Sequence, residues 1–419
     1  MWDGQVAHQD PGIAALREQF VCVRLTQMNG IDLGRFDFDY DNTWQAFFLD
    51  AHLNVYSRYG GRDASSPESR LSLKSLSQTM EAVLRDHARH PAAAQDPAVQ
   101  PQPAPVPAPA PAPVRAPKTG PAPERARGRK SGEGAGAPPA AIGTEPSVYQ
   151  RIPPQPRLPT DFPLLKQHHS GCLHCHQVQE YRLLQSFADG AFNTDLLFPF
   201  PLPENVGLEF DRDHGYRVTK VREKSPAARA GIEVGDVLLR SGGNPVRSED
   251  DFRWTLHHAP PTGNWPLEVL RGSTEGTATE NTPQRVAVTL SLEAGWKRGD
   301  VSWRKSLRSY PVVWGFLGYS LGAEERREQA LPLETLALKV VSIRGQSGGV
   351  AQALGLQKGD LIIAVEDDTQ VKTLEQFKSN LLGRYKPGSP MEWRVIRGGR
   401  EVTVKGSFPA WQTTDRTVP

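Results

Sequence analysis

The chain has 419 residues, too many for one ordinary core, so two to four domains are expected. Its 49 lysines and arginines nearly balance 47 aspartates and glutamates, which leaves no field strong enough to draw the whole molecule to nucleic acid or anionic lipid. The longest apolar stretches, such as DLIIAV and YPVVWGFLGY, fall short of the ~18 residues that a membrane span needs, and three cysteines cannot make a disulfide framework.

Along residues 1–90, DPGIAALREQ suits a helix, FVCVRL a buried strand carrying Cys22, WQAFFLD and NVYSRYGG a hairpin, and SRLSLKSLSQTMEAVLRDH a closing helix. Helix, strand, hairpin, helix is the order of the back half of a thioredoxin-like fold. No basic, apolar, small-residue leader opens the chain, so export is not legible at Met1. Residues 91–160 read as a linker. From Pro91 to Pro123 about every third residue is proline, interleaved with alanine. Proline fixes φ and removes a donor, so this stretch is expected to be extended, reaching on the order of 100 Å at ~3.1 Å per residue. The basic RARGRKSGEGAGA that follows lacks the interleaved aromatics of a nucleic-acid arm and reads as solvated chain.

Residues 161–200 carry HHSGCLHCHQV on a short helix. Cys172, Cys175 and His176 form C-x-x-C-H, the spacing of c-type haem attachment: two thiols one helical turn apart, with the adjacent imidazole as iron ligand. Between linker and next domain only about 40 residues remain to wrap a haem. No methionine stands between Met80 and Met391, which leaves His168, His169 or His174 as a distal ligand. Zinc held by the cysteines and these histidines, a redox dithiol and no cofactor at all stay open beside haem.

The segment from Ser225 to Phe252 has a weaker copy from Ser347 to Phe377. Gly231 matches Gly355, Gly235 matches Gly359 and Asp236 matches Asp360, each pair followed by an apolar trio. A spacing of 124 residues over this length of match means two copies of one domain, placed at 202–293 and 308–410. A short helix ending at a glycine, a Gly-Asp turn and an apolar strand are the parts each copy shares. The run SPAARAGIEVGDVL resembles the bacterial HtrA-type PDZ family.

That resemblance implies an apolar-Gly-apolar loop whose backbone N–H groups receive a peptide's terminal carboxylate, the peptide adding as a strand beside it. The matching residues are Val206, Gly207 and Leu208 in the first copy and Phe316, Leu317, Gly318 and Tyr319 in the second. Helices starting near Ser248 and Thr373 supply the other wall, with Phe252, Leu256, Phe377 and Leu381 as pocket residues or, alternatively, core. The GQSGG run at 345–349 looks like a trypsin-type nucleophile loop, but Ser347 aligns with Ser225 at the entry to the PDZ helix and no oriented histidine base accompanies it.

The N-terminal pattern, together with CLHCHQ, PLPENVGL and GWKRGDVSWRKSL, resembles planctomycete-type proteins that join thioredoxin-like, C-x-x-C-H and PDZ modules, some with selenocysteine in the redox motif. This chain begins at the helix that should follow that motif, and no proline precedes TWQAFF where a cis-proline would sit. The motif and any export signal are therefore expected upstream of Met1. The combined expectation is an α+β multidomain chain acting as a non-proteolytic, extracytoplasmic adaptor for protein C-termini or extended peptides, with a haem- or redox-linked element. The alternative is a thiol or selenol oxidoreductase whose PDZ pair selects clients. The tryptophan-rich connector GWKRGDVSWRKSLRSYPVVWG is expected to pack between the two copies.

Overall fold

A computed structural model describes residues 11–89, 173–272, 283–307, 313–344, 349–370 and 372–410, so the proposed linker lies outside the described residues. The N-terminal unit holds α1 (Pro11–Arg17), an antiparallel hairpin of β1 (Gln45–Leu49) and β2 (Val55–Gly60), and α2 (Leu73–Arg89). Leu76, Met80 and Val83 recur at helical spacing on α2 and bury against Tyr56 and Tyr59 of β2. The expected strand over FVCVRL does not form. Val21 is 96% exposed, Val23 and Leu25 are exposed with it, and so is Cys22. The hairpin is a two-stranded sheet that offers this segment no ladder, and β-branched residues make a strand only where they pack and pair. The chain between Met28 and Tyr40 buries Met28, Leu33, Phe38 and Tyr40 against Val178 and Tyr181 of α3 (Cys175–Ala188).

The first repeat pairs β3 (Leu208–Phe210) with β4 (Val218–Val221), beside a four-stranded sheet ordered β6-β5-β7-β8. Its strands are β5 (Val237–Ser241), β6 (Asn244–Pro245), β7 (Gly263–Arg271) and β8 (Gln284–Leu292). Between them run the short α4 (Pro226–Arg229), capped by the Ser225 hydroxyl, and α5 (Glu249–His258), capped by the Ser248 hydroxyl.

The second repeat is one five-stranded sheet ordered β13-β12-β11-β10-β9. Its elements in chain order are β9 (Phe316–Ser320), α6 (Ala323–Glu328), β10 (Leu338–Ile343), α7 (Val350–Leu354), β11 (Leu361–Val365), α8 (Leu374–Arg384), β12 (Pro390–Arg397) and β13 (Arg400–Ser407). Strands β9 and β13 are its edges.

The repeated Gly-Asp has the same physical cause in both copies. Gly231 and Gly355 adopt left-handed φ values of 76° and 61°, and the buried Asp236 and Asp360 close the next turn by accepting from the Glu233 and Gln357 N–H groups. Each aspartate also takes a two-pronged bond from an arginine ending a later strand. Arg271 reaches Asp236 at 2.9 and 2.8 Å, and Arg397 reaches Asp360 at 2.8 and 2.7 Å. The same guanidinium groups donate to the Gly231 and Gly355 carbonyls.

As expected, the connector packs between the repeats. Asn205 of the first donates to the Trp296 and Arg298 carbonyls, and the Val301 N–H donates to Ser379 Oγ of the second.

Candidate functional site

Backbone hydrogen bonds fix which loop corresponds to which. In the first repeat the Val206 carbonyl accepts from the Ala227 N–H at 3.0 Å and the Gly207 carbonyl from Arg222 at 2.8 Å. In the second, Trp314 accepts from Ala351 and Gly315 from Arg344, both at 2.9 Å. Gly207 and Gly315 share positive φ, 92° and 72°. The counterpart of Val206-Gly207-Leu208 is therefore Trp314-Gly315-Phe316. Of the four residues expected in the second loop only Phe316 belongs to it; Leu317, Gly318 and Tyr319 run along β9. Leu317 and Tyr319 face outward, and Gly318 is required because a Cβ there would stand 2.3 Å from the Lys339 carbonyl oxygen. Likewise the counterpart of Ser225 is Gly349, the N-cap of α7, while Ser347 lies outside the described residues. The loop-to-helix segment is sixteen residues longer in the second copy and holds α6, which hides this register from the sequence.

Phe252, Leu256, Phe377 and Leu381 are all at most 2% exposed and belong to the two repeat cores, so they form the floor and not the walls. The adjacent face of α8 is partly covered by the connector, with Ser379 and Leu382 buried. Glu375, Lys378, Ser379 and Leu382 enclose a cavity of about 360 Å³ with Trp314 of the loop and Val301, Ser302, Arg304 and Leu307 of the connector. The Lys378 ammonium stands 5.6 Å from the centroid of the Phe316 ring, and burial lowers its pKa.

In the first repeat the corresponding face of α5 is closed by the chain itself. Counting from the caps Ser248 and Thr373, Glu375, Lys378, Ser379 and Leu382 correspond to Asp250, Arg253, Trp254 and His257. Gln45 donates to Asp250 at 2.6 Å, Arg253 donates to Asp39 at 2.6 Å, and the Trp254 indole donates to Asp37 at 3.0 Å. His257 stacks on Phe200 with ring centroids 4.2 Å apart, and burial holds it well below the ordinary histidine pKa. The loop amides are also taken: Val206 N–H donates to the Pro203 carbonyl and Gly207 N–H to that of Glu204. Among the described residues no acceptor meets the Trp314 or Gly315 N–H. The two grooves expected to be alike are thus unlike. Nothing in the repeat pattern signalled Asp39 or Gln45, because they lie more than 200 residues from the helix they cover.

The C-x-x-C-H segment is partly placed. Cys172, His168 and His169 lie outside the described residues. Leu173 accepts from the Met28 N–H and donates to Asn29 Oδ1, so the segment docks on the N-terminal unit. Cys175 joins the apolar cluster around Tyr40 and Tyr181, and burial pushes its thiol up, away from the reactive thiolate of a redox pair. His174 stacks on His176 at 6.1 Å. Cys175 is a free, half-buried thiol at the rim of that apolar cluster. Among the described residues no group of three or more histidine, cysteine, aspartate or glutamate side chains could hold a metal ion.

A model of the PDZ domain family matches residues 204–282 and 315–406. Over 202 residues the chain is 30% identical to a probable periplasmic serine endoprotease DegP-like protein of Pseudomonas savastanoi pv. phaseolicola (strain 1448A / Race 6), covering 48% of this chain and 38% of the relative. A protein of the same description from Pseudomonas fulva (strain 12-X) is 29% identical over the same shares. The chain thus spans less than two fifths of the length of these relatives. A solved structure described as HtrA-type protease AlgW with decapeptide aligns at 14% identity and a TM-score of 0.20, over 36% of this chain and 49% of that one. No helix among the described residues is long and apolar enough to cross a membrane. The chain carries two PDZ domains, and these modules are similar to those of HtrA-type proteins.

Proposed function

We propose that this protein is a non-proteolytic peptide-binding adaptor in which the second PDZ domain takes the ligand and the first is a structural module. The observation that carries the reading is the contrast between the two grooves. Strand β9 is an edge strand of its sheet, and a cavity of about 360 Å³ remains between Trp314 of the glycine loop, the connector and α8, whereas α5 is sealed by Asp37, Asp39, Gln45 and Phe200. An incoming chain end laid along β9 gains main-chain hydrogen bonds from the edge and side-chain specificity from the cavity. Trp314, Gly315 and Phe316 replace the loop first expected at Phe316, Leu317, Gly318 and Tyr319. The loop Val206, Gly207 and Leu208 is released from peptide binding in this reading.

An extracytoplasmic setting is supported by relatives described as periplasmic. The thioredoxin-like assignment of the N-terminal unit rests on its helix, hairpin and helix; in this reading the unit works as a clamp on the first PDZ domain. Haem on Cys172, Cys175 and His176, or zinc on these with His168, His169 and His174, is decided by a Soret band after co-expression with haem-attachment machinery and by metal analysis.

The test of the adaptor reading is photocrosslinking with p-benzoylphenylalanine placed at Tyr319 beside β9 or at Glu209 on β3, against decapeptides with free C-termini. Crosslinks from position 319 alone support it. Crosslinks from 209 alone, or from neither, sink it.

A further inference from the structure

Where the N-terminal unit meets the start of α5, the contact is short of positive charge. Arg70, on the segment between β2 and α2, donates to Asp63 of its own unit at 2.8 Å and, across the boundary, to Glu204 at 2.6 Å and Glu249 at 3.2 Å. One guanidinium thus serves three carboxylates, and all four side chains are at most 35% exposed. The neighbouring cations are engaged elsewhere: Arg253, one turn on along α5, with Asp39, and Arg212, between β3 and β4, with the Glu68 and Leu71 carbonyls. Asp250, next on the helix, takes its hydrogen bond from the neutral Gln45, and Tyr59 of β2, which burial pushes up to about 12, stays uncharged. Glu204 Oε2 is buried with no hydrogen-bond partner among the described residues. Two negative charges in excess destabilise so enclosed a site, and a proton on the most enclosed carboxyl relieves it. That carboxyl is Glu249, whose side chain is 10% exposed against 17% for Asp63 and 35% for Glu204.

We infer that this cluster is a proton-operated latch: Glu249 carries a proton while the N-terminal unit is seated on α5, and its ionisation loosens the seat. Burial, with repulsion from Glu204 and Asp63, pushes the Glu249 carboxyl up to about 7 against the pull of Arg70 and Arg253. Asp63, against the effect of burial, is held at about 2 by Ser65 and Arg70 and stays ionised. A carboxyl whose pKa is higher in the seated state takes up a proton on seating. Its contribution is therefore full below the ordinary glutamate value and is lost as pH rises through about 7. His257, at the other end of α5, acts with the opposite sign, since its depressed pKa weakens the seat toward acid. The latch adjoins the first glycine loop, because the Glu204 main-chain carbonyl accepts from the Gly207 N–H. Releasing Glu204 from Arg70 thus frees the turn that occupies that loop. The inference concerns the closure of the first groove and stands whichever domain takes peptide.

The test is hydrogen–deuterium exchange of the full chain, read by mass spectrometry from pH 6 to pH 8.5 and corrected for the intrinsic pH dependence of amide exchange. The Arg58 N–H donates to Asp251 and the Gly207 N–H to Glu204, so the protection of the segments holding them reports the seat. In the wild type that protection should fall about tenfold across the range, as expected for a carboxyl raised from the ordinary glutamate value to about 7. Glu249→Gln keeps an uncharged hydrogen-bonding side chain there and should change by no more than about threefold, the remainder coming from Asp251, which burial pushes up to about 6. The same comparison cancels His257, which both proteins share. Glu204→Gln removes one repelling charge from a partly exposed position and should move the midpoint of the fall to lower pH. A wild type with flat protection, a Glu249→Gln variant that keeps the tenfold fall, or a Glu204→Gln midpoint that stays in place overturns the latch. If Glu249→Gln does not fold, the Glu204→Gln midpoint decides alone.

Discussion

The residue that organises the molecule is Asp39. Its carboxylate is 1% exposed and receives both Arg253 and Arg304, themselves 0% and 3% exposed, while Arg304 also reaches Asp41. Burying such ions is costly, and their mutual attraction offsets the cost only while every partner is present. Asp39→Ala leaves two buried guanidinium groups facing one remaining aspartate. We expect it to destabilise the protein by about 3–5 kcal/mol in urea denaturation. Asp41→Ala should cost less, since Arg304 keeps Asp39 and only the Ser306 bonds are additionally lost. Burial and the neighbouring Asp39 already raise the Asp41 pKa against the pull of Arg304. Equal losses for the two variants would show that Asp39 is not the hub.

At the scale of elements, the glycine loops show both what a sequence reveals and what it hides. Gly-Asp and the apolar trio were legible because a left-handed turn, an aspartate that closes it and a core strand demand those residue types in adjacent positions. The second glycine loop was misplaced by three residues, since W-G-F and L-G-Y are both apolar-Gly-apolar and only the bonds to Arg344 and Ala351 choose between them. FVCVRL failed for a related reason: strand propensity is local, but a ladder partner is not. The loops also differ in tolerance. A Cβ on Gly207 would lie 2.1 Å from Ser225 Cβ, a main-chain-fixed atom that no rotamer change moves, whereas one on Gly315 would meet Ala351 Cβ at 3.3 Å. Gly207→Ala should therefore cost about 3 kcal/mol or more, and Gly315→Ala only the about 1–2 kcal/mol of a left-handed alanine. Thermal denaturation of the two variants orders them, and the reverse order would contradict the loop packing.

Across the whole molecule, two domains of one family sit in different surroundings. Helix α5 is buried between its own domain's core and the N-terminal unit with Phe200, while α3 and the connector pass side chains such as Leu183 and Val301 into the core of the second domain. Two like domains suggest a bivalent adaptor, and for two open grooves a ligand carrying two chain ends would gain about 10²–10⁴ in apparent affinity through effective concentration. Sealing one groove removes that gain, whatever the length of the tether. Calorimetric titration should find one peptide per chain. A bivalent ligand tests the same point on the unaltered protein: two copies of a binding decapeptide, joined through their N-termini by a flexible tether, should bind only about twofold better than one copy, which is the statistical factor for two equivalent ends meeting one site. Two peptides per chain, or an avidity gain of about a hundredfold, would mean that Asp39 and its neighbours yield to a competing carboxylate and that the first groove opens in solution.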